Sequence, residues 1–140
     1  MSTHYFWDIE NVSFHNLEKI MNHIENEKND VHCHVVFAKI KEARKEVLIT
    51  NGWELIKAEQ IGNNSADFKI KEMIESLLSK ENNNLKKIVL ITEDKGFKKT
   101  GKKIIDAGCD FDIITATKNP DWITELNNYK KSLKEKARPS

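Results

Sequence analysis

Short apolar runs alternate along the chain with stretches in which apolar residues recur every three or four positions. Thr3–Trp7, Val31–Ala38, Trp53–Lys57, Ile88–Ile91 and Phe111–Thr115 read as strands. Ile88-Val89-Leu90-Ile91 is uninterrupted, the pattern of a strand covered on both faces. Helical spacing runs through Phe14, Leu17, Ile20, Met21 and Ile24, with Ser13 as the expected N-cap. It returns as Ile40, Ala43 and Val47 within a helix near Lys39–Thr50. Ile70, Met73, Ile74, Leu77 and Leu78 give the clearest stripe. A fourth helix is expected over Lys95–Ala107, stopped by Gly108, and a fifth over about 120–135, opened by Pro120 and carrying Trp122, Leu126, Tyr129 and Leu133. Asn51-Gly52, Gly62-Asn63-Asn64-Ser65 and Asn82–Asn84 punctuate the pattern as turns and loops.

Strands and helices in strict alternation specify an α/β domain of three layers around a mainly parallel five-stranded sheet. A Rossmann-like order, 3-2-1-4-5, is expected. The 140 residues suit one domain, 1–140, with no repeat and no linker. At 39% hydrophobic and 32% charged, with no apolar run near the ~18 residues of a membrane span, a compact soluble protein is expected. The N-terminus has no signal-peptide pattern, and Cys33 and Cys109 fall in separate apolar segments, so a reducing cytoplasm is expected. A net charge of +1 decides nothing about nucleic acid; the distribution of charge is more informative.

His4-Tyr5-Phe6-Trp7-Asp8-Ile9-Glu10-Asn11 runs from an apolar strand into acids at a strand-to-helix turn. In open α/β sheets this is where ligand chemistry sits, outside the carboxyl ends of the strands. The order 3-2-1-4-5 makes strands one and four neighbours, which brings Asp8 to Glu93-Asp94. Asp67, opening the third helix, adds another acid at the same rim. Clustered hard oxygen donors suit Mg²⁺ or Mn²⁺, and such an ion activates water against a phosphate. Each acid also has a local use: Asp67 follows Asn64 in a capping-box spacing, Asp94 is placed to cap the fourth helix, and Asp8 to accept from loop amides.

Asp8-Ile9-Glu10-Asn11, Asn64-Ser65-Ala66-Asp67 and Leu90-Ile91-Thr92-Glu93-Asp94-Lys95-Gly96-Phe97 together resemble the NYN domain of the PIN-like ribonuclease superfamily, over about residues 3–116. Asp8 and Asn11 match its first block, Asp67 its second, and Thr92, Asp94 and Phe97 its third. Gly96 stands where the family's third block has a second Asp; Glu10, Glu93 and Asp112 are the candidate acids to replace it, none of them in register. The resemblance implies a PIN-like fold and a metal-dependent endoribonuclease leaving 5′-phosphate and 3′-hydroxyl ends. Asp8, Asp67 and Asp94 would hold the metal, with Glu10 and Glu93 as further candidates, and Asn11 would orient a ligand water or phosphate.

Lys95, Lys98, Lys99, Lys102 and Lys103 crowd the start of the fourth helix, where cations oppose the helix dipole and so have no local stabilising reason. With Lys39, Lys41 and Arg44 after strand two, they are candidates for holding single-stranded RNA by its phosphates. Thr100 and Gly101 would let the nucleic-acid backbone approach. A solvated lysine face is the alternative. The C-terminal cations, Lys130 to Arg138, suit a last helical turn and need no ligand. Trp7 falls in a strand and is read as core, whereas Trp53 and Trp122 are open to stacking on bases. His32-Cys33-His34 is read as ordinary strand sequence, because the two His side chains share a face with Cys33 opposite. His15 and His23 lie on the first helix, where nothing marks either as a general base.

Two other functions compete with the nuclease. One is a catalytically weak module of the same fold that binds RNA or protein, motivated by Gly96. The other, a phosphoryl-accepting signalling domain, needs an acceptor Asp after strand three, where the chain has Ile56-Lys57-Ala58. RNA substrate, number of metals, self-association and biological role are not specified by the sequence.

Overall fold

The chain is described by a computed structural model over residues 1–59, 65–117 and 119–136. Five strands, β1 (Ser2–Asp8), β2 (Asp30–Phe37), β3 (Trp53–Lys57), β4 (Lys86–Ile91) and β5 (Asp110–Ile114), pair in parallel in the order β3-β2-β1-β4-β5. The connecting helices are α1 (Leu17–Glu25), α2 (Glu42–Thr50), α3 (Ser65–Leu78) and α4 (Lys98–Asp106), and α5 (Asp121–Lys136) closes the chain. The expected three-layer α/β fold and its strand order are both present.

The alternation of side chains along β1 divides the core. Tyr5 and Trp7 face α1 and α2, packing with Ile20, Val35, Leu48, Val89 and Ile91. Phe6 faces α3, α4 and α5, packing with Ile70, Ile74, Leu90, Ile104 and Leu126. Crossovers of one hand put the first two helices on one face and the next two on the other. Asp8, two residues beyond Phe6, therefore belongs to the α3 face. Central position buries β1 on both sides, so Tyr5, Phe6 and Trp7 are all buried; full burial of one such side chain contributes about 1.5–3 kcal/mol.

Lys86 is buried at 9% exposure because its ammonium donates to the Leu77 carbonyl at 2.9 Å and to Asn83 Oδ1 at 3.1 Å. It thereby satisfies the carbonyl end of α3, where a cation is favourable.

Three helix starts differ from the pattern-based reading. Ser13 makes no side-chain cap; it precedes a 3-10 turn, Phe14–Asn16, and α1 begins at Leu17. The second helix begins at Glu42, not near Lys39, because the Ala38 and Lys39 amides donate to the Glu10 carboxylate and hold the chain out of helix. Residues 95–97 form a 3-10 turn before α4, set by the Gly96 amide donating to Asp94 Oδ1 at 2.9 Å. Gly52 and Gly108, at φ +86° and +87°, adopt the left-handed conformation in which glycine avoids a Cβ penalty.

Candidate active site

Three carboxyls from distant parts of the chain meet at the carboxyl rim of the sheet. Asp8 ends β1 and is 4% exposed; Asp67, in the first turn of α3, is 7% exposed. Asp94 follows β4 and is partly exposed. Asp67 is hydrogen-bonded to both of the others. Burial pushes the Asp67 carboxyl up to about 8, with Asp94 and Asp8 adding to the shift. Asp8 is raised to about 6, again chiefly by burial, with the charges of Glu10 and Asp94 adding to it. Asp94 is held low by the hydrogen bond from Asp67, by the Gly96 amide and by the nearby Lys71 ammonium. Of the three carboxyls, Asp67 is therefore the one most inclined to hold a proton. Like charges held this close cannot all ionise unless a cation joins them.

Asn11 and Thr92 fasten the two strand ends that carry Asp8 and Asp94. Asn11 Oδ1 accepts from the Glu93 amide at 2.6 Å and from Thr92 Oγ1 at 3.3 Å. Thr92 Oγ1 in turn accepts from the Asp94 amide at 3.1 Å, and Thr92 is almost wholly buried. The Asn11 carbonyl is thus committed to the protein, which leaves its amide group for any ligand. Glu10 points to the β2–α2 connection, where it accepts from the Ala38 and Lys39 amides. Glu93 points the other way and accepts from the Thr117 amide at 3.2 Å. Both acids flank the three aspartates with their carboxylates engaged elsewhere. Asp112 lies mid-strand and faces α1, 3.4 Å from His23, whose other ring nitrogen is 2.9 Å from Tyr5 Oη. Neither Asp112 nor His23 belongs to the rim.

The donor set of the three aspartates is all oxygen, which fits a hard divalent cation rather than zinc or copper. Among the described residues no group of three or more His, Cys, Asp or Glu side chains is arranged so that it could hold a metal ion as it stands. His32 and His34 sit on the sheet face opposite Cys33, stacked on His4 and Phe6 at ring separations of 4.7 Å and 5.1 Å.

The fold is similar to a crystal structure of a Vibrio parahaemolyticus protein of unknown function, with TM-score 0.68, 11% identity, and coverage of 89% of this chain and 88% of that one. Identity this low shows a shared fold alone. No known protein family matches the chain, and no curated protein matches it.

The lysine cluster divides around α4. Lys98 pairs with Glu125 on α5, Lys103 with Glu75 on α3 at 2.8 Å, and Lys102 lies 5.1 Å over the Tyr129 ring. Lys95 and Lys99 are exposed and in no ion pair among the described residues. Lys39, Lys41 and Arg44 line an open groove of about 530 Å³ beside Ile9 and Glu10. Thr100 and Gly101 are buried, so the expectation that they admit a nucleic-acid backbone is corrected. A Cβ at Gly101 would lie 2.7 Å from Leu126 Cδ1; the glycine is there for helix packing. Trp53 and Trp122 are also unavailable for stacking, at 3% and 4% exposure. Trp53 packs edge-on against Trp7, and Trp122 donates to the Glu93 carbonyl at 3.2 Å. Phe68 on α3 is instead an outward aromatic, 70% exposed.

The capping spacing of Asn64 with Asp67, the loop 62–64 and Arg138 lie outside the described residues. Lys71 was not singled out by pattern, since a lysine in an amphipathic helix carries no signal of its own. It reaches Asp94 and Gly96 only through the packing of α3 on the turn after β4.

Proposed function

We propose that this chain is a divalent-metal-dependent endoribonuclease that hydrolyses phosphodiester bonds in single-stranded RNA. The observation that carries the reading is the meeting of Asp8, Asp67 and Asp94, buried or half-buried, at the carboxyl rim where β1 and β4 adjoin. The three aspartates would hold Mg²⁺ or Mn²⁺. When bound, such an ion activates water and neutralises charge on the scissile phosphate. Asn11 holds the β1 and β4 loops in register through its side-chain oxygen, and its amide group would orient a ligand water or phosphate. Lys95 and Lys99 on one side, and Lys39, Lys41 and Arg44 on the other, supply phosphate contacts; Lys98, Lys102 and Lys103 extend the basic side with their charges partly committed.

The choice of RNA rests on the resemblance of the three acidic blocks to NYN domains. A cytoplasmic location is supported by the two free cysteines, which lie in the cores on opposite sheet faces. No helix among the described residues is long and apolar enough to cross a membrane.

The deciding experiment is cleavage of a labelled single-stranded RNA with Mn²⁺, Mg²⁺ or EDTA, comparing wild type with Asp8→Asn and Asp94→Asn. Metal-dependent cleavage lost in both variants, with RNA affinity unchanged or higher in Asp94→Asn, is the expected result. Equal cleavage by all three proteins would overturn the reading. Gly96, which leaves the cluster one acid short of the NYN pattern, favours a second reading: a module that binds RNA without a divalent ion and does not cut it. RNA affinity retained in EDTA with no cleavage in any metal would select it. A phosphoryl-accepting domain is disfavoured, because β4 rather than β3 flanks β1 and no Asp follows β3.

A further inference from the structure

Gly96 opens a space that Lys71 shares. A Cβ at Gly96 would stand 3.3 Å from Asp94 Oδ1, 3.7 Å from Asp67 Oδ2 and 3.7 Å from Lys71 Nζ. A side chain there would enter the gap between two carboxylates and an ammonium. Lys71 lies one helical turn beyond Asp67, so both project from the same face of α3. Its position is fixed by Phe97, a fully buried ring over whose face Lys71 Nζ sits, 5.3 Å from the centroid. Lys71 is half-buried and in no ion pair among the described residues. Its donors are therefore free for a ligand. Lys71 thus stands close enough to Asp94 to lower its carboxyl, yet forms no ion pair with it among the described residues.

We propose that Lys71 is a phosphate-binding catalytic residue of this site, a fixed cation standing in for a second divalent ion, so that the site works with one. The inference rests on the nuclease reading and deepens it. During hydrolysis the water oxygen bonds to phosphorus and gives up one proton to solvent as the P–O3′ bond breaks. O3′ takes up a proton from solvent and leaves as the 3′-hydroxyl, and the water's second proton stays on the new 5′-phosphate. Negative charge grows on the phosphoryl oxygens along that path. An ammonium held in place before the reaction stabilises that charge without reorganisation. With Lys71 present and no carboxylate at position 96, the rim carries the charge to retain one divalent ion and repel another.

The test combines Mn²⁺ titration calorimetry with single-turnover cleavage of single-stranded RNA, on the full chain as wild type, Lys71→Met and Lys71→Arg. Methionine keeps the packing on Phe97 and removes the charge. Wild type is expected to bind one Mn²⁺. Lys71→Met is expected to bind Mn²⁺ several-fold tighter, because a neighbouring cation is gone, yet to cleave about 100-fold more slowly. Lys71→Arg is expected to keep wild-type metal affinity and recover most of the rate. If thermal melting shows Lys71→Met to be unfolded, Lys71→Gln takes its place. Two Mn²⁺ ions per wild-type chain, or an unchanged rate in the neutral variant, would overturn the role of Lys71 and leave the nuclease reading standing. No Mn²⁺ bound by wild type, with no metal-dependent cleavage, would instead remove the nuclease reading and this inference with it.

Discussion

Asp67 is the residue on which the electrostatics of the rim turn. Its carboxyl, raised to about 8 by burial and by its acidic neighbours, binds a proton in the folded chain that it has already released in the unfolded one. A raised carboxyl of this kind stabilises the fold below its unfolded value and withdraws that stability as pH climbs through the folded value. His4 acts in the opposite sense, because burial first, and the neighbouring His and Lys charges second, lower it to about 4. Its contribution is complete once pH exceeds its ordinary value of 6.5. Between pH 6.5 and about 8.5 the Asp67 carboxyl therefore dominates, since Asp8, raised to about 6, has lost most of its own contribution by the start of the window. Metal-free protein is expected to lose on the order of 1–2 kcal/mol across that window, a few degrees in melting temperature. Asp67→Asn should hold its melting temperature across the same window. Excess Mn²⁺ should abolish the loss in wild type, because the ion replaces the proton. A wild-type melting temperature that ignores pH in the metal-free state would contradict a raised Asp67 carboxyl. Sequence placed Asp8, Asp67 and Asp94 at one rim but gave no order of proton affinity, which is set by how far each carboxyl is removed from water.

At the scale of elements, the contact between α4, α5 and β5 shows how a motif residue can mislead. Gly101 lies in a lysine-rich stretch, and its small size suits close approach. The partner that approaches is Leu126 on α5, with the Phe111 ring of β5 beside it. Gly101→Ala would place a Cβ 2.7 Å from Leu126 Cδ1 and 3.1 Å from Phe111. Overpacking of this kind costs about 1–3 kcal/mol, and the better helix propensity of alanine returns at most about 1. A net loss of about 1 kcal/mol is expected from urea unfolding, with RNA affinity unaltered. A stabilised variant would mean that α5 yields to the extra methyl. The helix starts teach the same lesson: Glu10 and Asp94, both candidates for metal, spend oxygens on backbone amides that fix where α2 and the turn before α4 begin. In Asp94 the cap takes one oxygen, and the other is left for the metal ion proposed above.

For the molecule as a whole, a net charge of +1 hides an asymmetry. Acids meet at the centre of the carboxyl rim, and Lys39, Lys41 and Arg44 flank one side while Lys95 and Lys99 flank the other. These five cations are without carboxylate partners among the described residues, whereas Lys98 and Lys103 are paired. If all five meet phosphates, the logarithm of RNA affinity should fall against the logarithm of salt with a slope of about −3 to −4. Replacing Lys95 and Lys99 together by Gln should flatten the slope by about 1.4. Replacing Lys98 and Lys103 should flatten it less, since their charge is already neutralised within the protein. Equal effects from the two pairs would show that the helix-to-helix ion pairs open when RNA binds.

The sequence by itself determined the type and order of the elements, the sheet order and the presence of Asp8 and Asp94 at one rim. These follow from local rules: side chains alternate along a strand, helices repeat near 3.6 residues, and crossovers between parallel strands have one hand. Only the tertiary structure decided which polar atoms were already taken. Glu10 and Glu93 were spent on loop amides, the tryptophans were enclosed, and two of the five clustered lysines, Lys98 and Lys103, were paired across helices. It also brought Lys71 to Gly96, through the rotation of α3 against the turn after β4. Such pairings depend on distances of a few ångströms between segments remote in the chain. No periodicity in one segment encodes what the other will offer.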